Sequence, residues 1–130
     1  MVEPAITPVS WPFYRFVHAE PVVLHCDPLS LGRPSEDRKP YDANQAVPTL
    51  LFGRFREALL RRLPELALKK LDWVSLFVYP MTGGFKPWTL IPATLVEPLL
   101  RIEYALPLVV RRWLAFRIFV VLEKRTRPHE

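Results

Sequence analysis

Fifteen prolines among 130 residues, more than twice the usual share of about 5%, set the grain of this chain. Each one fixes φ and removes a backbone donor, so no regular helix or central strand can run through it undisturbed. The residue before each is pushed toward extended backbone as well. The prolines are dispersed and only four glycines accompany them, which excludes collagen and low-complexity linkers. Half of the residues are hydrophobic and 24% are charged, so the chain has material for a core and is not intrinsically disordered. Its length allows one domain of ordinary size.

Between the prolines, six stretches carry a pattern. Met1–Glu20 places Pro4, Pro8 and Pro12 among Trp11, Phe13, Tyr14 and Phe16, which predicts an extended piece and then a short helical turn. Val2-Glu3-Pro4 reads as the tail of a strand running into a loop. Residues 26–43 concentrate turn formers and mixed charge with almost no apolar anchor, the mark of an exposed loop. Over 45–63, Asn44 offers an N-cap, Pro48 suits a first turn, Leu51, Phe52, Phe55, Leu59 and Leu63 recur at helical spacing, and Pro64 stops an amphipathic helix. Strands are expected at about 70–79 and 114–124, both apolar on both faces, as in a sheet covered on both sides. Between them lies an inserted helical segment at 89–113, which Pro98 and Pro107 should kink or split. Two such strands with two long helices fall short of a complete α/β domain, so residues 1–130 read as a single partial domain. Alone, such a chain would expose strand 115–123 and self-associate.

The net charge of +5 is unevenly placed. Residues 1–65 carry eight basic and eight acidic side chains, whereas 66–130 carry ten and five. Lys69, Lys70, Lys124, Arg125 and Arg127 read as solvated charge at element ends, with a phosphate-facing surface as the alternative. The basic helix 89–113 also contains Glu97 and Glu103, which argues against a nucleic-acid reader. The N-terminus lacks a basic start followed by an apolar run, so it is not a secretory signal. The uncharged run Trp73–Phe85 has 13 residues against about 20 needed to span a bilayer. A single cysteine, Cys26, forbids an internal disulfide and suits a reducing compartment, so a cytoplasmic location is expected.

The order of elements, with the phrases Glu3-Pro4, His18-Ala19-Glu20-Pro21, Asp42-Ala43-Asn44-Gln45-Ala46-Val47-Pro48, Gly83-Gly84-Phe85-Lys86-Pro87-Trp88 and Val121-Leu122-Glu123-Lys124, resembles the C-terminal half of a class I S-adenosylmethionine-dependent methyltransferase, as found among uncharacterised bacterial members. The resemblance implies a Rossmann-like α/β sheet entered at the end of its fifth strand. Residues 45–63 would be the following helix, 70–79 the sixth strand, and 114–124 a seventh returning antiparallel between the fifth and sixth. It implies transfer of a methyl group from S-adenosylmethionine to a small or lipid-like acceptor, with 80–113 covering the substrate. The family's glycine-rich cofactor loop and ribose-binding acid lie upstream of anything in this chain, so no cofactor-binding residue is expected here. The chain alone should be inactive without an N-terminal half or a separate partner chain.

Five side chains that can ligate metal or move protons crowd together as His18, Glu20, His25, Cys26 and Asp27. Their spacing fits no established zinc signature, and no metal site is assigned. As the segment after strand five borders the active site in the resembled family, His18 and Glu20 are the catalytic candidates, able to orient or deprotonate a nucleophile. Trp11, Tyr14, His18, Phe85 and Trp88 are the candidate substrate pocket; core packing is the alternative for the aromatics. Lys86, Arg111 and Arg112 could hold an anionic head group or form a solvated face. A second functional reading makes the chain a small non-enzymatic α+β module. It would bind a partner protein or an anionic membrane surface through helix 89–113, with Leu95, Leu99, Ile102 and Leu106 toward the lipid and Arg101, Arg111 and Arg112 toward phosphates.

Overall fold

A computed structural model describes residues 1–17, 20–30, 43–84 and 86–125. The elements follow in the order β1 (Val2–Pro4), α1 (Ser10–Phe16), α2 (Val47–Phe52), α3 (Arg56–Arg62), β2 (Leu66–Val74), α4 (Val78–Met81), α5 (Ala93–Ala105), α6 (Leu108–Leu114) and β3 (Arg117–Lys124). The three strands form one sheet in the order β1-β3-β2, with both neighbouring pairs antiparallel. The architecture of the described residues is therefore α+β rather than the α/β class expected from the sequence. The last strand does lie antiparallel between the other two.

Strand β3 is central, paired with β1 at Val2↔Phe119 to Pro4↔Arg117 and with β2 along its whole length. It is not the exposed strand expected from the sequence. Its Ile118 and Val120 are buried with Ala5 and Phe52, and Leu51, Leu59, Leu68, Leu71 and Trp73 close around them. A second cluster gathers Ile6, Tyr14, Ala46, Leu50 and Phe116, joined by Phe13, Phe55 and Tyr79. Helices α2 and α3 thus cover one face of the sheet. On the other face α6 reaches β2 through Arg111, whose guanidinium pairs with Asp72 at 2.9 Å in a largely buried contact.

Three boundaries differ from the sequence reading, each for a local reason. The helix over 45–63 is two helices, because the chain leaves helical geometry at Gly53, where a Cβ would lie 2.6 Å from the Thr49 carbonyl oxygen. The break lets Phe52 enter the sheet core while Phe55 turns to the second cluster. Strand β2 occupies 66–74 instead of 70–79. It ends where Ser75 takes a φ of 57°, a left-handed conformation costly for a non-glycine residue. Phe77 and Tyr79 then belong to the start and first turn of α4. A register shift between Leu68 and Lys70 also marks β2, where Lys69 is the extra residue. Segment 89–113 splits at Pro107, as its sequence predicts, whereas Pro98 stays inside α5.

Helix α5 is tied down by one acidic side chain. Glu103 is only 3% exposed, and its carboxylate accepts the backbone N–H groups of Leu76 at 3.1 Å and Val78 at 2.6 Å. At the start of α1, Thr7 and Ser10 bond reciprocally: the Thr7 N–H donates to Ser10 Oγ and the Ser10 N–H to Thr7 Oγ1. Pro12 falls in the first turn, where its missing donor costs nothing. Among the described residues no helix is long and apolar enough to cross a membrane.

Candidate functional site

A polar cavity of about 250 Å³ opens where the end of β1, the start of β3 and α4 meet; Glu3, Tyr14, Glu20, Gln45, Tyr79 and Arg117 line it. The sheet register places Arg117 opposite Pro4, and the guanidinium lies 4.5 Å from the centre of the Tyr79 ring. It also donates to the Tyr79 hydroxyl oxygen at 3.2 Å. A cation stacked on an aromatic face and bonded to its hydroxyl is held in one place, which suits it to orienting a polar group that enters the cavity.

Tyr14 is 3% exposed, and its hydroxyl donates to the Phe116 carbonyl oxygen at 2.8 Å. Burial pushes its pKa well above the ordinary phenol value, the neighbouring Tyr79 and Glu20 add to the rise, and Arg117 opposes it. The phenol is therefore neutral throughout the physiological range. With its proton directed at a carbonyl, it offers lone pairs and cannot act as a base. Gln45 is positioned by its backbone N–H, which donates to the Pro21 carbonyl at 3.0 Å. Among the described residues no serine, cysteine or lysine lines the cavity; those that do can bind, orient and accept a proton through Glu3 or Glu20.

Of the residues singled out in the sequence, the structure brings Tyr14 and Glu20 to this cavity. His18 and Phe85 lie outside the described residues, as do positions 31–42 of the loop at 26–43. Trp11 and Trp88 do not line the cavity: Trp88 is 46% exposed, and Trp11 packs edge-on against Phe16 at 6.2 Å. Tyr79, Gln45 and Arg117 escaped sequence reasoning. Tyr79 falls inside the strand expected at 70–79 and Arg117 inside the one expected at 114–124, and neither pattern marks a site.

Asp27 and Cys26 have structural roles, whereas His25, Lys86 and Arg112 are exposed. Asp27 Oδ1 accepts the Leu29 N–H, and Cys26 Sγ accepts from Asn44 Nδ2 at 3.3 Å. Among the described residues no group of three histidine, cysteine, aspartate or glutamate side chains could hold a metal ion. Gly83 and Gly84 both have positive φ and turn the chain after α4; a Cβ on Gly83 would collide with the Trp88 carbonyl. The pair serves as a turn. Arg111, expected to face phosphates, is engaged with Asp72, and Arg101 with Glu97 at 2.6 Å.

A second cavity, of about 320 Å³ and almost wholly apolar, lies between α2, α3 and the sheet, lined by Met1, Pro48, Leu51, Leu59, Leu63 and Leu122 among others. Glu3 borders both cavities, so both lie along β1, whose outer edge has no strand beside it among the described residues. No protein-family model, no curated protein and no solved structure matches this chain.

Proposed function

We propose that this chain is the acceptor-side portion of a cytoplasmic class I S-adenosylmethionine-dependent methyltransferase, of Rossmann-like fold when whole, and that a cofactor-binding half joins it along β1. The observation that carries this reading is the strand order β1-β3-β2, with the last strand running antiparallel between the first and second. Two cavities opening along the same edge, unpaired among the described residues, support it, since both would be closed by a sheet continued there.

The residues of this chain do not fit the cofactor. An adenosyl group needs close backbone approach at a glycine-rich turn and a strand-end carboxylate. The described glycines Gly53, Gly83 and Gly84 are already committed to close contacts within the chain, with Thr49, Trp88 and Tyr79 respectively. The part assigned to these residues is the acceptor's. Arg117 and Tyr79 fix its polar group, the neutral Tyr14 accepts a hydrogen bond from it, and Glu20 takes a proton if the acceptor atom must lose one. A lipid-like acceptor would lay its apolar part in the trough beyond Glu3.

The test is to recover the natural product through a C-terminal tag in its own cells, measure its mass, and titrate it with S-adenosylmethionine by calorimetry. A product above 15.2 kDa, or a chain of that mass with a bound partner, that takes up the cofactor is the expected result. A monodisperse 15.2 kDa monomer that binds no cofactor overturns the reading.

A further inference from the structure

Helices α1 and α6 meet at one end, where the Val9 N–H donates to the Trp113 carbonyl oxygen at 3.3 Å. Around this junction large apolar side chains face outward: Phe16 is 76% exposed, Val109 67% and Trp113 60%, with Val9 and Trp11 beside them. The two segments forming the surface, residues 5–17 and 106–119, contain no acidic residue. Their arginines Arg15 and Arg112 are exposed, and Arg112 with Val109 and Trp113 forms one i, i+3, i+4 stripe along α6. An exposed apolar patch with aromatic side chains and cations of one sign fits a partner with a hydrocarbon phase beneath a layer of negative charge.

We propose that the α1–α6 surface docks on an anionic phospholipid bilayer, with Trp11, Phe16 and Trp113 at the headgroup level and Arg15 and Arg112 against the phosphates. A second copy of the chain fits this patch poorly. A two-fold interface would set the patch on itself and bring arginine against arginine with no carboxylate to separate them. A nucleic acid would use the aromatic faces but has nothing to offer Val9, Val17 and Val109. A sheet continued at β1 would not cover the α6 part of the patch, as α6 packs on β2, at the opposite edge. The proposal stands on a different surface from the acceptor cavity and does not depend on the methyltransferase reading.

The test is cosedimentation of the full chain, in the assembly in which it is purified, with vesicles of phosphatidylcholine alone or with phosphatidylglycerol. Binding to the anionic vesicles, reduced by salt, is expected, with little to the neutral ones. The double variant Arg15→Gln/Arg112→Gln should bind on the order of thirty-fold less, given the attraction of each cation to an anionic leaflet. Phe16→Ser/Trp113→Ser should lose about tenfold or more while keeping its circular dichroism spectrum, since both side chains are exposed. Quenching of the wild-type tryptophan fluorescence by brominated acyl chains decides the matter should those variants misfold. No binding to anionic vesicles, unchanged binding by the arginine variant, absence of quenching, or displacement of the chain from vesicles by a single-stranded oligonucleotide would each overturn the proposal.

Discussion

The carboxylate of Glu103 is almost fully enclosed, and its two oxygens receive the N–H groups of Leu76 and Val78. In Glu103→Gln one of those oxygens becomes an NH2 group that confronts a buried donor. The variant should lose about 1–3 kcal/mol of stability, read as a lower urea midpoint at unchanged slope; a loss below about 0.5 kcal/mol would count against the anchoring role. Tyr14 gives a pH signature. Its folded-state pKa lies above that of the unfolded phenol, so the folded state holds the proton more tightly. Its contribution is therefore complete below the ordinary phenol pKa, near 10, and is lost as pH rises beyond it. Wild-type stability should fall above about pH 10 more steeply than that of Tyr14→Phe; equal slopes in parallel thermal melts would refute this. At this scale the site was half legible. Tyr14 and Glu20 announced themselves as an aromatic and an acid in a proline-rich segment, whereas Arg117 and Tyr79 meet only because α4 folds back, which no local pattern encodes.

Strand β2 shows how an element can be present in the sequence and still be misplaced. Its core-facing residues Leu68, Leu71 and Trp73 are spaced three and then two apart, which strict alternation cannot satisfy. The extra residue Lys69 resolves the conflict. It keeps Leu68 opposite Leu122 and Leu71 opposite Val120, and it holds Lys70 and Asp72 off the core face. An alternating template therefore begins at Leu71 and overruns into Phe77 and Tyr79, past the left-handed Ser75. Deleting Lys69 should leave a regular strand with the same inward residues, so the melting temperature should stay within a few degrees. The straightened edge, with one lysine fewer, should associate faster in light scattering at raised concentration. A large fall in melting temperature would show that the bulge itself is needed. The α2–α3 break was equally hidden. One glycine within a clean helical stripe looks tolerable until the crowding at Thr49 is known.

Over the whole molecule, hydrogen bonding and burial are distributed unequally. Strand β3 is bonded on both edges and carries the most buried side chains of the sheet, while α5 and α6 keep Leu95, Ile102, Tyr104, Val109 and Trp113 substantially exposed. Amide hydrogens of β3 should accordingly exchange most slowly and those of α6 among the fastest of the regular elements; slowest exchange in α6 would mean that its outer face is covered in solution. The strand order was legible through the resemblance that the order of elements suggested. The apolar surface on α1 and α6 was not, because a residue's outward direction depends on which helix face the sheet claims. Farther from the sheet, Asn44 pairs through its side chain with both backbone groups of Val23, each at 2.8 Å, while the neighbouring Gln45 N–H reaches Pro21. The chain is thereby pinched shut at a neck, as if two strands had met there. Beyond the neck the described residues stay tied to the fold: Cys26 packs against the second cluster, and the Arg62 guanidinium of α3 donates to the Leu29 carbonyl oxygen at 2.6 Å. With its base closed at Asn44, a longer connection would cost only about 0.6 kcal/mol in closure entropy for each doubling of its length.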